Sequence, residues 1–526
     1  MDHSVHSDVN TTSREIEERL PVYEEEQEEE RTLQPPAESP SVSDDDPSRA
    51  PVIKEIIKTP PRRLRLMLNE AQAKSVTHPL ASQLQILAGP GTGKTKTLIS
   101  RVMYLLSQNV HPSDMIITTF TVKAANEMRE RLAEMIGPSV ANRLILGTFH
   151  SISRKYLHKY GHLIGIPSGF TIADDSDSLH YVKDLCKDMG FKEGRTEARR
   201  VRDLISKAKA HGYFPDSPGV TAEINGIELE VYKKYQEKLQ DSKTLDFDDL
   251  LLQCVKLLQR FPKVVSNIQA VLVDEYQDTN SVQYNLMKLF AKERENITIV
   301  GDPDQSIYGF RAALATNLSL MAEDFPATTI ISLEENYRSS GHILDAALTV
   351  IQQDTERIKK EVRPNHDMGA KPSYISVMDT TAEARLIAEE VERLLTLSCG
   401  ILKPADFVVL VRTGFAMKPI EAALTRVGID YRVVGGSRFW DREEIKLVLS
   451  YLHLIKNRRS QSLLNIINSP RRGIGGMAMV ALLGHANAHE VPLWDAIVLA
   501  TQGELKEENR SAAGEYDKAF AGEAGV

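Results

Sequence analysis

The chain has 526 residues, 42% of them hydrophobic and 26% charged, which is the balance of a soluble globular protein and too long for one hydrophobic core. No run approaches the roughly 18 consecutive apolar residues of a membrane-spanning helix. The formal net charge of -9 is unevenly spread: residues 1–50 hold 15 Asp and Glu against 4 Lys and Arg, leaving 58 acids and 60 bases in the remainder. A near-neutral body neither supports nor excludes nucleic acid as a partner, so that question falls to the motifs.

From Met1 to residue 63 the sequence is polar, with a Glu-rich run from Glu24 to Glu30 and a Ser/Asp/Pro cluster from Ser39 to Ser48. Such a segment buries too little apolar surface to offset the entropy of ordering, and it reads as a disordered tail that solvates the chain or engages repair and recombination proteins. Its acidity argues against a mitochondrial presequence, and Arg62, Arg63 and Arg65 form a short basic patch of the kind read by nuclear import. The three cysteines, Cys186, Cys254 and Cys399, are odd in number and far apart, which suggests neither a disulfide framework nor a zinc site and fits a reducing intracellular compartment.

Beyond residue 64, short apolar runs alternate with amphipathic helical stretches. Gln85–Leu87, Met115–Thr119, Ala270–Val273, Ile297–Val300 and Thr329–Ile331 read as buried strands of a parallel sheet with helices on both faces. A long helical stretch, residues 151–252, interrupts the series. A second strand-helix series begins near Asn336, with Phe407–Val411 its clearest strand.

The first strand runs into Ala88-Gly89-Pro90-Gly91-Thr92-Gly93-Lys94-Thr95, and a helical pattern follows. That is the setting of a P-loop: small residues let backbone N–H groups approach phosphate oxygens, and the helix N-terminus adds partial positive charge. Lys94 is placed to reach the β- and γ-phosphates of ATP, and the Thr95 hydroxyl to ligate Mg²⁺. The apolar run Val271–Val273 ends in Asp274 and Glu275, the paired carboxylates such a site needs. One holds the metal, and the other prepares the attacking water.

The remaining segments, in fixed order from about residue 66 to 490, resemble the superfamily 1 helicases of the UvrD/Rep/PcrA group. Leu68–Gln72 resembles their Q motif, Thr119–Ala125 motif Ia, Gly147–Ser151 motif Ib, Leu245–Leu251 a segment near the end of the insertion, Gly301–Arg311 motif III and Leu333–Ser339 motif IV. Tyr431–Ile445 and Asn468–Gly475 continue the match, and Ala88 at the first P-loop position is shared with these helicases. The resemblance implies that Gln72 bonds the adenine, that Tyr337 stacks on the base, and that Gln305 senses the γ-phosphate. It implies that Arg338, planar and permanently charged, acts as an arginine finger. It places Phe120, Tyr308 and Phe310 as stacking platforms for single-stranded DNA, with Thr148 and His150 near its backbone. Phe310 stands where bacterial relatives have Trp.

The implied architecture is α/β, with two P-loop NTPase (RecA-like) domains carrying helical insertions and ATP bound between them. The boundaries are 64–150 with 253–335 for the first RecA-like domain, 151–252 for its insertion, 336–456 for a second, incomplete one and 457–526 for the start of a second insertion. No segment resembling motifs V and VI follows Gly475, and residues 511–526 read as disordered. The implied activity is ATP-driven 3′ to 5′ translocation on single-stranded DNA and unwinding at duplex junctions, in repair or recombination in the nucleus. The alternative is an ATP- and DNA-binding module without productive unwinding.

Overall fold

The structure, a computed structural model, describes residues 68–191, 195–306, 317–355, 357–434, 443–457, 460–488 and 491–501. The leading segment, the basic patch, Tyr308, Phe310 and residues 511–526 lie outside the described residues. The chain divides into two compact units, Met1–Pro372 and Ser373–Val526.

The first unit is built on a parallel sheet. In chain order the strands are β1 Gln83–Ala88, β2 Met115–Thr119, β3 Ile145–Thr148, β4 Thr171–Ile172, β5 Thr244–Leu245, β6 Ala270–Val273, β7 Ile297–Gly301 and β8 Thr329–Leu333. Six of them form one sheet in the order β3-β2-β6-β7-β1-β8, and β4 and β5 pair separately in the insertion. All five expected strands are present. β3 had been read only as a motif, because four residues containing Gly147 give a weak strand signal.

Alternation along the strands assigns each face its own core, since successive side chains point to opposite sides. On β6, Val271 and Val273 join Ile297 and Ile299 of β7 on one face, packed under helices that include Phe149–Tyr160, Phe247–Arg260 and Ser281–Phe290. Ala270 and Leu272 join Leu84 and Ile86 of β1 on the other, under Lys94–Ser107 and Val122–Ile136. Within the expected helical stretch, Asp175–Asp188, Arg195–Ala210 and Gly226–Asp241 pack around Val182, Val201, Ile205, Tyr232 and Leu239, and the stretch also takes in most of Phe149–Tyr160, the start of Phe247–Arg260 and the short strands β4 and β5. Two further short strands, β9 Glu335–Asn336 and β10 Arg363–Pro364, pair with each other.

In the second unit the helices Thr380–Leu397 and Met417–Arg426 pack on each other through Ala384, Ala388, Ile420, Ala423 and Leu424. Among the described residues of this unit no strand forms, which corrects the reading of Phe407–Val411. That segment leaves Val408 78% and Leu410 90% exposed. Its β-branched composition suits a pleated surface, but a strand exists only when a neighbour supplies the ladder, and among the described residues none pairs with it.

Candidate functional site: a phosphate loop at the carboxyl edge of the sheet

In a parallel sheet all carboxyl ends lie along one edge, and in open α/β folds that edge carries the ligand crevice. Here it brings together the loops after Ala88, Thr119, Thr148, Val273 and Gly301.

The loop after β1 turns through left-handed backbone at Gly91 (φ +68°) and Gly93 (φ +83°). A side chain would not fit at Gly91 for a second reason, because a β-carbon there would come 2.6 Å from Arg338 Cβ and 2.8 Å from Asn336 Nδ2. Gly93 caps the helix Lys94–Ser107 with no side-chain hydrogen bond of its own, and the N-terminus of that helix adds partial positive charge to the loop. Half-buried Thr95 stands on its first turn.

Asp274 ends β6 and is 5% exposed, its Oδ1 accepting the Glu275 N–H at 3.0 Å. Burial, and then the charge of Glu275, pushes its carboxyl up to about 7. A buried carboxylate and a hydroxyl are hard oxygen donors of the kind that suit Mg²⁺. Glu275 turns away through left-handed backbone, and its Oε2 lies 3.5 Å from Lys94 Nζ.

Gln277 extends the site in a way the sequence reading missed. Its Nε2 donates to Glu275 Oε2 at 2.9 Å, and its Oε1 accepts the Asp302 N–H at 2.9 Å. Asp302 Oδ2 in turn accepts Gln305 Nε2 at 2.5 Å. The P-loop lysine, the acidic pair and the turn after β7 are thus one connected network. Asp302 carried a readable signal, a carboxylate directly after a strand like Asp274. Gln277 was legible only as part of the run Tyr276-Gln277-Asp278 that continues the acidic pair, with no role of its own.

Asn336 is the second residue missed. It is 1% exposed, its Nδ2 donates to Pro90 O at 2.6 Å, and its Oδ1 accepts the N–H groups of Arg338 and Ser339. It therefore holds exposed Arg338 against the phosphate loop. Tyr337, 40% exposed, donates its N–H to Gly91 O, and its hydroxyl accepts from Asn69 Nδ2 at 3.0 Å. Gln72 is 2% exposed, with both amide atoms engaged: Nε2 donates to Thr92 O at 2.9 Å, and Oε1 accepts the Asn69 N–H at 3.1 Å. Its contacts here brace the loop; bonding to an adenine requires that they exchange.

Of the residues expected at DNA, Phe120 is half-buried just past β2, and Thr148 at the end of β3 caps the next helix by accepting the Ser151 N–H at 3.2 Å. His150 lies in the first turn of that helix, its ring 6.2 Å from that of Phe247. All three share the carboxyl edge with the phosphate loop, on the strands at the far side of β6.

Comparison with known proteins agrees with this geometry. Residues 68–326 match the UvrD/REP helicase N-terminal domain, and residues 331–512 the UvrD-like helicase C-terminal domain. The ATP-dependent DNA helicase srs2 of Schizosaccharomyces pombe is 40% identical over 476 residues, covering 86% of this chain and 53% of that protein. The ATP-dependent DNA helicase PcrA of Bacillus subtilis is 36% identical over 422 residues, 79% of this chain and 57% of that protein. PcrA of Leuconostoc citreum is 35% identical, over 82% of this chain and 58% of that protein. The chain spans little more than half the length of these relatives. With a P-loop, paired carboxylates and a motif III turn joined on one RecA-like sheet, and both domain matches in register with them, the chain belongs to the UvrD/REP helicase family.

Proposed function

We propose that this chain is an ATP-dependent 3′ to 5′ DNA helicase and single-stranded DNA translocase that acts in repair or recombination. The observation that carries the reading is the unbroken path Lys94–Glu275–Gln277–Asp302–Gln305, which ties the phosphate loop to the segment leading toward Tyr308 and Phe310. In this reading Lys94 neutralises the β- and γ-phosphates of ATP, and Ala88 to Thr95 wrap them with backbone N–H groups. Thr95 and Asp274 hold Mg²⁺, which supplies charge neutralisation at the phosphates. Glu275 orients a water and accepts its proton on the carboxylate that Gln277 steadies, and Arg338 neutralises charge developing at the transferred phosphoryl group. Tyr337 covers the base, and Gln305 senses the terminal phosphate.

Phe120, Tyr308 and Phe310 give single-stranded DNA sequence-tolerant stacking, with Thr148 and His150 at its backbone. Duplex junctions are the substrate class, the acidic tail is the site for protein partners, and the nucleus is the compartment. The Schizosaccharomyces relative and the basic patch support that location. Among the described residues no helix is long and apolar enough to cross a membrane.

A second reading, an ATP- and DNA-binding module without productive unwinding, is favoured by the exposure of Val408 and Leu410 in the second unit. DNA-stimulated phosphate release separates the two. Release that rises on adding single-stranded DNA and disappears in Lys94→Ala supports the motor. Nucleotide and DNA binding without release supports the module.

A further inference from the structure

A charge cluster outside the assigned residues is supplied by residues 357–364, which no motif accounts for. Arg357 clamps Asp304 with two contacts, Nε to Oδ1 at 2.7 Å and Nη2 to Oδ2 at 2.9 Å. Lys360 pairs with Asp302 and reaches Asp304 Oδ2 at 3.0 Å, its side chain 2% exposed and that of Asp302 fully buried. Two residues on, Val362 lies on the phosphate loop, where a β-carbon at Gly89 would meet its Cγ2 at 2.7 Å. Arg363 and Pro364 then pair with Glu335 and Asn336, the strand that carries Arg338. One short strap therefore touches the phosphate loop, the turn after β7 and the base of the candidate arginine finger.

The carboxylates it neutralises belong to the network described above. Asp302 accepts from Gln305 and donates its N–H to Gln277, which steadies Glu275. Asp302 is fully buried, and removing one partner of a buried pair leaves the full cost of the other.

We propose that Lys360, assisted by Arg357, is a positioning residue by which the site distinguishes a nucleoside triphosphate from a diphosphate. It holds Asp302 and Asp304 so that Gln305 keeps its place. The inference rests on the reading of the Lys94 loop as the nucleotide site. Lys360 touches none of the reacting atoms in this account; it acts through Asp302 and Gln305.

The test is binding of MgADP and of a non-hydrolysable MgATP analogue to the 526-residue chain, by displacement of a fluorescent nucleotide. Lys360→Met is expected to weaken the analogue by about tenfold or more while ADP changes by less than about twofold. Lys360→Arg should keep the wild-type ratio, and Lys360→Met combined with Asp302→Asn should move it back toward wild type by removing the orphaned charge. A purely structural role lowers the melting temperature and weakens both nucleotides together. An unchanged ratio, or equal loss of both nucleotides, while Lys94→Ala still abolishes binding, overturns the positioning role and leaves the nucleotide site standing. If Lys94→Ala binds both nucleotides normally, the site assignment fails and the positioning role fails with it. Should Lys360→Met not fold, Arg357→Gln carries the same comparison with a smaller shift in the same direction, and no shift overturns the proposal.

Discussion

Glu275 holds a left-handed backbone, φ +49°, which costs a non-glycine residue about 1 kcal/mol or more. The conformation separates two adjacent carboxylates: Asp274 stays buried at the strand end while Glu275, its side chain 36% exposed, faces Lys94. Their environments give them different tasks. Glu275→Gln preserves shape and removes the base, so nucleotide binding should persist while turnover falls by about 10²- to 10⁴-fold. Lys94→Ala should lose binding and turnover together, because the cation facing the phosphates is gone. Labelled-nucleotide binding and phosphate release measured on both variants check this, and equal turnover in Glu275→Gln and wild type would overturn the assignment. Phe120→Ala should weaken single-stranded DNA by about 1 to 3 kcal/mol irrespective of base sequence, read as a titration at fixed salt. If Phe120 is a core residue instead, the melting temperature falls and DNA affinity per folded molecule does not.

At the scale of elements, the join between the helical insertion and the first sheet is a buried ionic knot. Lys209, on the helix Arg195–Ala210, has a fully buried side chain and contacts Asp246 Oδ2 at 2.7 Å and Asp249 Oδ1 at 2.9 Å. Tyr235 donates its hydroxyl to the same Asp246 oxygen, Gln236 donates to Asp249, and Ser206 donates to Asp248. Burial, and then the charge of Asp246, pushes the Asp248 and Asp249 carboxyls up to about 6. Because these folded-state values lie above the unfolded ones, the folded protein takes up protons as pH falls through about 6, so their penalty is full above that pH and shrinks below it. Lys209→Met removes the only cation shown in contact with both Asp246 and Asp249, and it should cost about 3 to 5 kcal/mol near pH 8 and distinctly less at pH 5. Urea midpoints of wild type and variant from pH 5 to 8 measure it, and a deficit independent of pH would show that packing, not charge, is what was lost.

The same knot shows what a sequence discloses. The run Leu245–Leu251 was legible as a family segment, yet nothing in it announced a lysine 37 residues earlier as its partner. β1, β2, β6, β7 and β8 were legible because each is a short, largely apolar run closed by a small or polar residue. Phe407–Val411 has the same texture and forms no strand, since pairing depends on a neighbour that composition does not reveal. The P-loop and Asp274–Glu275 were legible because their chemistry is local. Gln277, Asn336 and Lys360 were not, because each owes its place to a contact made by tertiary folding.

For the whole molecule, the second unit sets the expectation for activity. Beside Val408 and Leu410, it leaves Tyr374 93%, Met378 100% and Val434 82% exposed, all outside helices and strands. Apolar extended segments without a ladder are unstable exposures, satisfied by added strands or by association. The nucleotide network lies wholly within Met1–Pro372, so binding of MgATP should not depend on them. Duplex unwinding is a different demand, because a motor converts hydrolysis into movement through a second ordered domain. The 526-residue chain is therefore expected to bind nucleotide, to show weak DNA-stimulated hydrolysis and to separate no strands. Robust unwinding by the 526-residue chain alone, as a monodisperse monomer, would defeat this expectation and mean that the second unit orders itself on DNA.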